Sequence, residues 1–344
     1  MKISKRFLWR LKIFFVLLAI APVGGQLFFA MFAPPEITKS IFGLMVRSLI
    51  GGSLLWGFEI LWVPSRYGAR VRHLPFIWAF VVRVVVVFVI VTVTGALGGW
   101  IAEGHFDPLI SFKIGLPIYI YVASVVFVLF SISQVVRIVG PRVMFNIIFG
   151  RYRRPKREDR VFLFLDIKGS TPLSERLGDI GVQHLIAGFF ADISEPILEW
   201  GGEVHRYIGD EVVIMWTLRE GIKNASCLRC CLAIQDHIKA RAGHYQKVYG
   251  AVPEFRMGLH GGPVVAAQCG DIKQEIVFFG DTINTTARIE QYCKQANRDL
   301  LISDQLYDQL PDSGDWQADS LGPVLLRGRQ HEIGLLAVSH SPLI

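Results

Sequence analysis

Charge is scarce over the first 140 of the 344 residues, and no cysteine occurs before Cys227. The scarcity of charge excludes one soluble core for the whole chain. Up to about Gly140 the sequence runs through long apolar stretches, whereas from Arg151 onward charged residues are interspersed as in an ordinary globular domain. The five cysteines, Cys227, Cys230, Cys231, Cys269 and Cys293, are odd in number and lack framework-like spacing, which excludes a disulfide-stapled scaffold and leaves reduced cytosolic thiols. Cys227, Cys230 and Cys231 have no complementary His or Cys pair at zinc spacing, so they read as part of an apolar helical face rather than as metal ligands. The net charge of +7 raises a nucleic-acid partner, but the basic excess sits beside apolar segments, where it marks the cytoplasmic side of a membrane. No small-residue cleavage site with a polar start follows the first apolar run, so that run is read as a retained helix.

Four apolar stretches are each long enough, at about 20 residues, to cross a hydrocarbon core: Ile13 to Ala33, Ser40 to Pro64, Ile77 to Ala102 and Gly115 to Ile138. The start carries Lys2, Lys5, Arg6, Arg10 and Lys12, the second connection carries Arg66, Arg70 and Arg72, and the third has Glu103 and Asp107. This asymmetry predicts both termini on the cytoplasmic side of a plasma membrane, a bacterial inner membrane, with lipid around the spans. Glu59 and Arg83 fall at similar depth from the inner ends of the second and third spans, which predicts that they pair. A structural ion pair or snorkelling side chains is the plainer reading, and a ligand or proton site the alternative. Arg47 has no role in this scheme.

The domain organisation expected is therefore a four-span membrane domain over 1–140, a basic linker over 141–159 and a catalytic domain over 160–344. Within the linker, Val143, Met144, Ile147 and Ile148 have helical spacing, and Arg151, Arg153, Arg154, Lys156, Arg157 and Arg160 form a basic cluster.

In the second half, "VFLFLD" predicts a buried strand ending at Asp166, and "IKGSTPL" a turn opening a helix that runs to about Trp200. After the "EWGGE" turn come two strands, "EVHRYI" and "EVVIMW", joined by Gly209 and Asp210. A second helix over about Ile222 to Ala242 and the extended "EFRMGLHGGPVV" complete the order strand, helix, strand, strand, helix, strand. That is the order of a ferredoxin-like α/β fold, in which the end of the first strand and the tip of the following hairpin lie at one edge of the sheet. Asp166 and Asp210 are thereby expected to converge beside a helix start, a setting able to hold magnesium against a triphosphate. Taken singly, each is more simply a cap or a hairpin residue.

Together, "FLDIKGST", "RYIGDE", "RMGLHGGPVV" and "FFGDTINTTARIE" resemble the catalytic domain of class III adenylate and guanylate cyclases over about Arg160 to Asp304, with "LLRGR" extending the match. The resemblance implies a ferredoxin-like core, head-to-tail homodimers and active sites in the cleft between two subunits. It implies that Asp166, Asp210 and the carbonyl of Ile167 bind two Mg2+ (or Mn2+) ions, and that Gly169, Ser170 and Thr171 hold the triphosphate by their amides. Asn284 and Arg288, one helical turn apart, would orient the ribose and meet the charge on the transferring phosphoryl group. Arg327 or Arg329 would add positive charge at the outer phosphates, with a solvated turn as the alternative. Adenylate cyclases of this family usually carry Lys where this chain has Arg206, and Asp or Thr where it has Val277. Guanylate cyclases usually place Glu at the first position to accept from guanine, and a donor-only arginine cannot do so. The expected activity is conversion of ATP to 3′,5′-cyclic AMP and pyrophosphate. The alternatives are a guanylate cyclase, or a membrane receptor whose domain binds nucleotide without turning it over. The plainer reading of Arg206 is an exposed strand residue away from the base.

Overall fold

The computed structural model describes residues 5–32, 41–65, 67–72, 74–103, 116–311 and 314–341. The chain divides into two compact units, Met1–Phe145 and Asn146–Ile344.

The first unit is helical: α1 (Lys5–Phe32), α2 (Ile41–Trp56), α3 (Ala69–Arg72), α4 (Phe76–Glu103) and α5 (Leu116–Val139), with α6 (Pro141–Ile148) running across the division. By length and composition, three stretches suffice to cross a membrane: Arg10–Leu27, Phe76–Leu97 and Tyr119–Val136. The second expected span is not among these three, although it is helical without a break over Ile41–Trp62. It is a 16-residue α-helix that widens into a π-helical segment over Gly57–Trp62, so its α-helical part alone falls short of the about 20 residues a crossing needs. Glu59 sits in that π segment, and its Oε1 lies 2.8 Å from Nε of Arg83 on α4. The expected pair is therefore formed. Arg83 also donates to the Ala79 carbonyl at 2.9 Å and lies 4.1 Å above the Phe130 ring of α5, so one guanidinium ties three helical segments. Lys2, Arg66 and Asp107, on which the expected orientation partly rests, lie outside the described residues.

The second unit is built on one mixed sheet. Its strands are β1 (Lys156–Ile167), β2 (Glu203–Ile208), β3 (Glu211–Thr217), β4 (Phe255–Cys269), β5 (Glu275–Phe279), β6 (Leu300–Ser303), β7 (Trp316–Val324) and β8 (Ile333–His340). They run in the order β2-β3-β1-β4-β6-β8-β7, and β5 pairs with β4. The first four, with antiparallel β1–β3, β1–β4 and β2–β3 pairs, are the ferredoxin-like core that the sequence predicts. β1 begins at Lys156, inside the stretch assigned to the linker. There Glu158 gathers the basic cluster, 2.7 Å from Arg160 and 3.1 Å from Arg151.

β1 reads as a continuous apolar run because both of its faces are covered. Val161, Leu163 and Leu165 pack against α7 (Ser170–Glu199) and α9 (Ser226–Ala240) through Phe189, Ile193, Leu228 and Ile234. On the other face the Phe162 ring meets Phe278 of β5 edge-on, 5.6 Å between centroids. Cys227, Cys230 and Cys231 are free, fully buried thiols on the core side of α9, and burial pushes the Cys227 thiol up to about 12. The expected second helix is shorter and segmented: α8 (Leu218–Ile222) precedes α9, and α10 (Ala242–Tyr249) follows it. Beyond the core, α11 (Asp281–Ala296) packs Ile289 and Cys293 against Leu301, Leu326 and Leu335 of the β6–β8 side, and α12 (Asp304–Tyr307) follows β6.

Candidate active site

β1 delivers Asp166 to the end of the sheet, where it stands opposite Glu211 of β3 on one side and Arg256 of β4 on the other. Asp210, in the hairpin between β2 and β3, precedes Glu211 directly. The two aspartates, 44 positions apart in sequence, thus reach the same edge, and each helps perturb its neighbours. Burial and then the charge of Asp210 push the Asp166 carboxyl up, against the pull of Arg256 and a hydrogen bond from the Ile167 amide. Burial, Asp166 and Asp210 push Glu211 up to about 7. From the α11 side Glu290, itself buried, joins the group and is pushed up to about 7 by burial, Asp166 and Glu211.

Four carboxylates against one arginine is an excess of negative charge held together by the fold, a donor set suited to hard cations. Among the described residues no three or more His, Cys, Asp or Glu side chains form a metal cage. A cation held by Asp166 and Asp210 would therefore need further oxygen ligands from outside this side-chain set, as magnesium commonly takes.

Immediately after Asp166 and Ile167 the chain turns. Gly169 adopts φ +64°, the left-handed conformation that favours glycine, and forms the N-terminal cap position of α7. The first turn of α7 carries no acidic residue, so the unpaired amides at Ser170 and Thr171 face no competing carboxylate of their own helix. Lys168 anchors the turn from behind: its amide donates to the Glu254 carbonyl at 2.8 Å and its Nζ lies 2.5 Å from Asp299.

Asn284 and Arg288 share one face of α11, while Thr282, Thr285, Thr286 and Ile289 occupy the buried face. α11 lies close on β4 because Gly258 has no side chain: a Cβ there would meet the Glu290 amide nitrogen at 2.4 Å. Arg288 Nη1 donates to the Gly328 carbonyl at 3.3 Å, and Arg329 pairs with Asp281 at 3.2 Å. The turn carrying Arg327 and Arg329 is thereby fastened to the start of α11, with Arg327 exposed and Arg329 half-buried. Among the described residues no hydrogen bond or ion pair joins Asp166 or Asp210 to Asn284 or Arg288.

Arg206 and Val277 are brought near each other by the β4–β5 hairpin, which curls over the sheet face until Phe278 lies 5.1 Å from the His205 ring of β2. A β-bulge between Val204 and Arg206 re-aims the strand there. Arg206 then reaches Glu275, 2.5 Å from Nη2 to Oε2, and Glu275 is also held by Lys273 at 2.7 Å. Glu275 and Val277 alternate onto one face of β5, so the ion pair lies beside the position of Val277.

Sequence reasoning did not find Glu211, Glu290, Arg256 or Glu275. Glu290 had a detectable signal, since it occupies the helical period of the buried residues Thr286, Ile289 and Cys293. Glu275 had none, because its partner is 69 positions away.

The adenylate and guanylate cyclase catalytic-domain model matches residues 154–337. Adenylate cyclase 2 of Rhizobium meliloti is 37% identical over 247 residues, covering 72% of this chain and 67% of that protein, so this likeness extends into the helical half. Adenylate cyclase 1 of the same organism is 27% identical over 188 residues, 53% of this chain and 28% of its own length. Among solved structures, a bacterial light-regulated adenylyl cyclase superposes with a TM-score of 0.55 at 22% identity, covering 64% of this chain and 65% of that one, which supports the fold.

Proposed function

From the premise that this chain belongs to the adenylate and guanylate cyclase catalytic-domain family, we propose that it is a membrane-anchored adenylate cyclase that converts ATP to 3′,5′-cyclic AMP and pyrophosphate. The observation that carries the reading is the convergence of Asp166 and Asp210 beside the helix start at Gly169–Thr171. Asp166, Asp210 and the Ile167 carbonyl would hold two Mg2+ or Mn2+ ions. Their chemistry is to lower the pKa of the ribose 3′-hydroxyl and to offset phosphate charge. The amides of Gly169, Ser170 and Thr171 bind the triphosphate. Asn284 fixes the ribose so that its 3′-oxygen faces the α-phosphorus in line, and Arg288 donates to the oxygens on which charge develops as pyrophosphate departs. Arg329, or the exposed Arg327, adds positive charge at the leaving group.

Membership of the cyclase catalytic-domain family, whose domains work in pairs, supports a homodimer in which Asp166 and Asp210 of one subunit face Asn284 and Arg288 of its partner. Residues 1–140 anchor the enzyme in a plasma membrane, with both termini and the catalytic half, 160–344, on the cytoplasmic side. The segment 141–159 links them. This topology rests on the basic residues around Arg6 and Arg70 and has the continuous helical run Ile41–Trp62 cross along with the three longer apolar helices, an even number of crossings.

Base choice falls to Arg206, whose donors match the acceptor nitrogens of adenine. A second reading, a guanylate cyclase, is kept by one observation: the carboxylate of Glu275 lies beside Arg206 and is an acceptor of the kind a guanine edge requires. Because Glu275 is engaged by both Arg206 and Lys273, ATP is the substrate that the pair favours. The test is turnover of ATP and GTP by the purified full chain in magnesium and in manganese. Cyclic AMP as the main product is expected; cyclic GMP formed from GTP in excess of it reverses the assignment, and nucleotide binding without pyrophosphate release makes the domain a binding module.

A further inference from the structure

Between α1, α2, α4 and α5 the helical unit forms a partly open cavity of about 280 Å³. This approaches the lower end of the range for small-molecule pockets, about 300 Å³, and exceeds the ~150 Å³ void that accepts benzene. Helix contacts prop it open. A Cβ at Gly52 would meet the Ala21 Cβ at 2.8 Å, and one at Gly51 would meet Thr94 Cγ2 at 3.3 Å, so α2 already touches α1 and α4 where glycine permits it and cannot close further.

The lining is graded along its length. One level holds Arg47, Ser48, Thr94 and Tyr121, each within about ten residues of the helix ends where α1 and α4 finish and α2 and α5 begin. Deeper in the bundle the wall is Leu17, Leu55 and Val87. Arg47 is only 6% exposed, and the Thr94 hydroxyl is buried without a hydrogen-bond partner among the described residues. A guanidinium has five donors, so Arg47 can serve a ligand in addition to its contacts within the protein. A buried cation at one end of an apolar slot matches a molecule with one anionic head and a short alkyl body.

We propose that this cavity is a binding site for a small anionic amphiphile of the medium-chain carboxylate class, its carboxylate on Arg47 and Thr94 and its alkyl chain along Leu17, Leu55 and Val87. The site is independent of the cyclase reading and is tested by binding rather than by turnover.

The test uses the full chain in phosphatidylcholine nanodiscs and a decanoate analogue carrying a diazirine near the tail, with photolabelled peptides mapped by mass spectrometry. Labelling is expected on the peptides containing Leu17, Leu55 and Val87, blocked by excess decanoate and not by decanol. Arg47→Gln is expected to weaken labelling about tenfold or more, the loss of a charge-assisted hydrogen bond, while Arg47→Lys retains most of it. The wild-type competition needs no variant, so a misfolded Arg47→Gln chain leaves the proposal open to refutation. Labelling blocked equally by decanol, or spread over the outward-facing Phe15, Val85 and Ile120, overturns it. So does labelling that decanoate fails to displace but phosphatidylglycerol in the disc abolishes, which assigns the cavity to a phospholipid.

Discussion

Arg206 of β2 and Glu275 of β5 meet at 2.5 Å across a curled hairpin, and the pair sets which hydrogen-bond donors the strand edge presents. If Arg206 reads the base, Arg206→Ala removes a charged donor, and kcat/KM for ATP should fall about tenfold or more, mostly through KM. Glu275→Gln keeps the shape and loses the charge, so its effect should be smaller, about threefold, without a gain in GTP turnover. An unchanged KM for ATP in Arg206→Ala would return Arg206 to an exposed strand residue.

The acidic cluster makes a separate prediction about ions. Asp166, Asp210, Glu211 and Glu290 repel one another, so a divalent cation that binds only the folded state should raise Tm, by about 2.7 kcal/mol of stability at a hundred times Kd. For a unit of this size that is a shift of several degrees. Asp166→Asn should abolish the magnesium-dependent shift and lower kcat by about a hundredfold or more, yet leave the metal-free protein as stable as wild type, because a like-charge contact is relieved. Thermal unfolding with and without EDTA measures this. A magnesium shift that persists in Asp166→Asn puts the ions elsewhere.

Much of this site is legible in the residues themselves. The apolar run ending in Asp166, the Gly169 turn and the element order together dictate that the β2–β3 hairpin reaches the Asp166 edge, and the Asp166–Glu211 register is that outcome. The Glu59–Arg83 pair was legible from depth alone, at 1.5 Å per residue. What could not be read is whatever depends on curvature and long-range approach. The bulge before Arg206 and the curl that places Glu275 against it accompany the packing of Phe278 of β5 between Phe162 and His205, contacts between residues more than 70 positions apart that no local pattern encodes. The π segment at Gly57–Trp62 is similar: an apolar run predicts a helix without saying how it is wound.

Dimer geometry has a sharper test than sizing the complex. Asp210→Ala and Asn284→Ala chains should each be nearly inactive alone. Mixed at equal amounts, half of the dimers are heterodimers and each has one intact site of two, so activity should return to about a quarter of wild type. No recovery in a mixture shown to contain heterodimers would mean that each subunit carries a whole site.

His260 supplies a pH dependence that is separate from the acids. It lies on β4, 5% exposed, with Nδ1 2.7 Å from the Ser303 hydroxyl, and burial, with a contribution from Arg329, lowers its pKa from 6.5 to about 4 against the opposing charges of Asp281 and Asp304. Above pH 6.5 the imidazole is neutral in both folded and unfolded chains and costs nothing. Between pH 6.5 and about 4 only the unfolded chain takes up this proton, so the contribution of His260 to stability falls as pH falls across that window. A shift of this size is worth about 3 kcal/mol at the acid end. His205, lowered to about 4 by burial and Arg206, adds a second contribution of the same sign. Glu211 and Glu290, pushed up to about 7, contribute with the opposite sign in the same window, so the readout is the difference between chains: relative to wild type, His260→Asn should lose about 3 kcal/mol less stability between pH 7 and 4, read as hydrogen exchange of β4 amides, even if it lowers stability at pH 7 by loosening the Ser303 contact. If the variant keeps the full wild-type slope, His260 is protonated in the fold, and the buried neutral imidazole is ruled out.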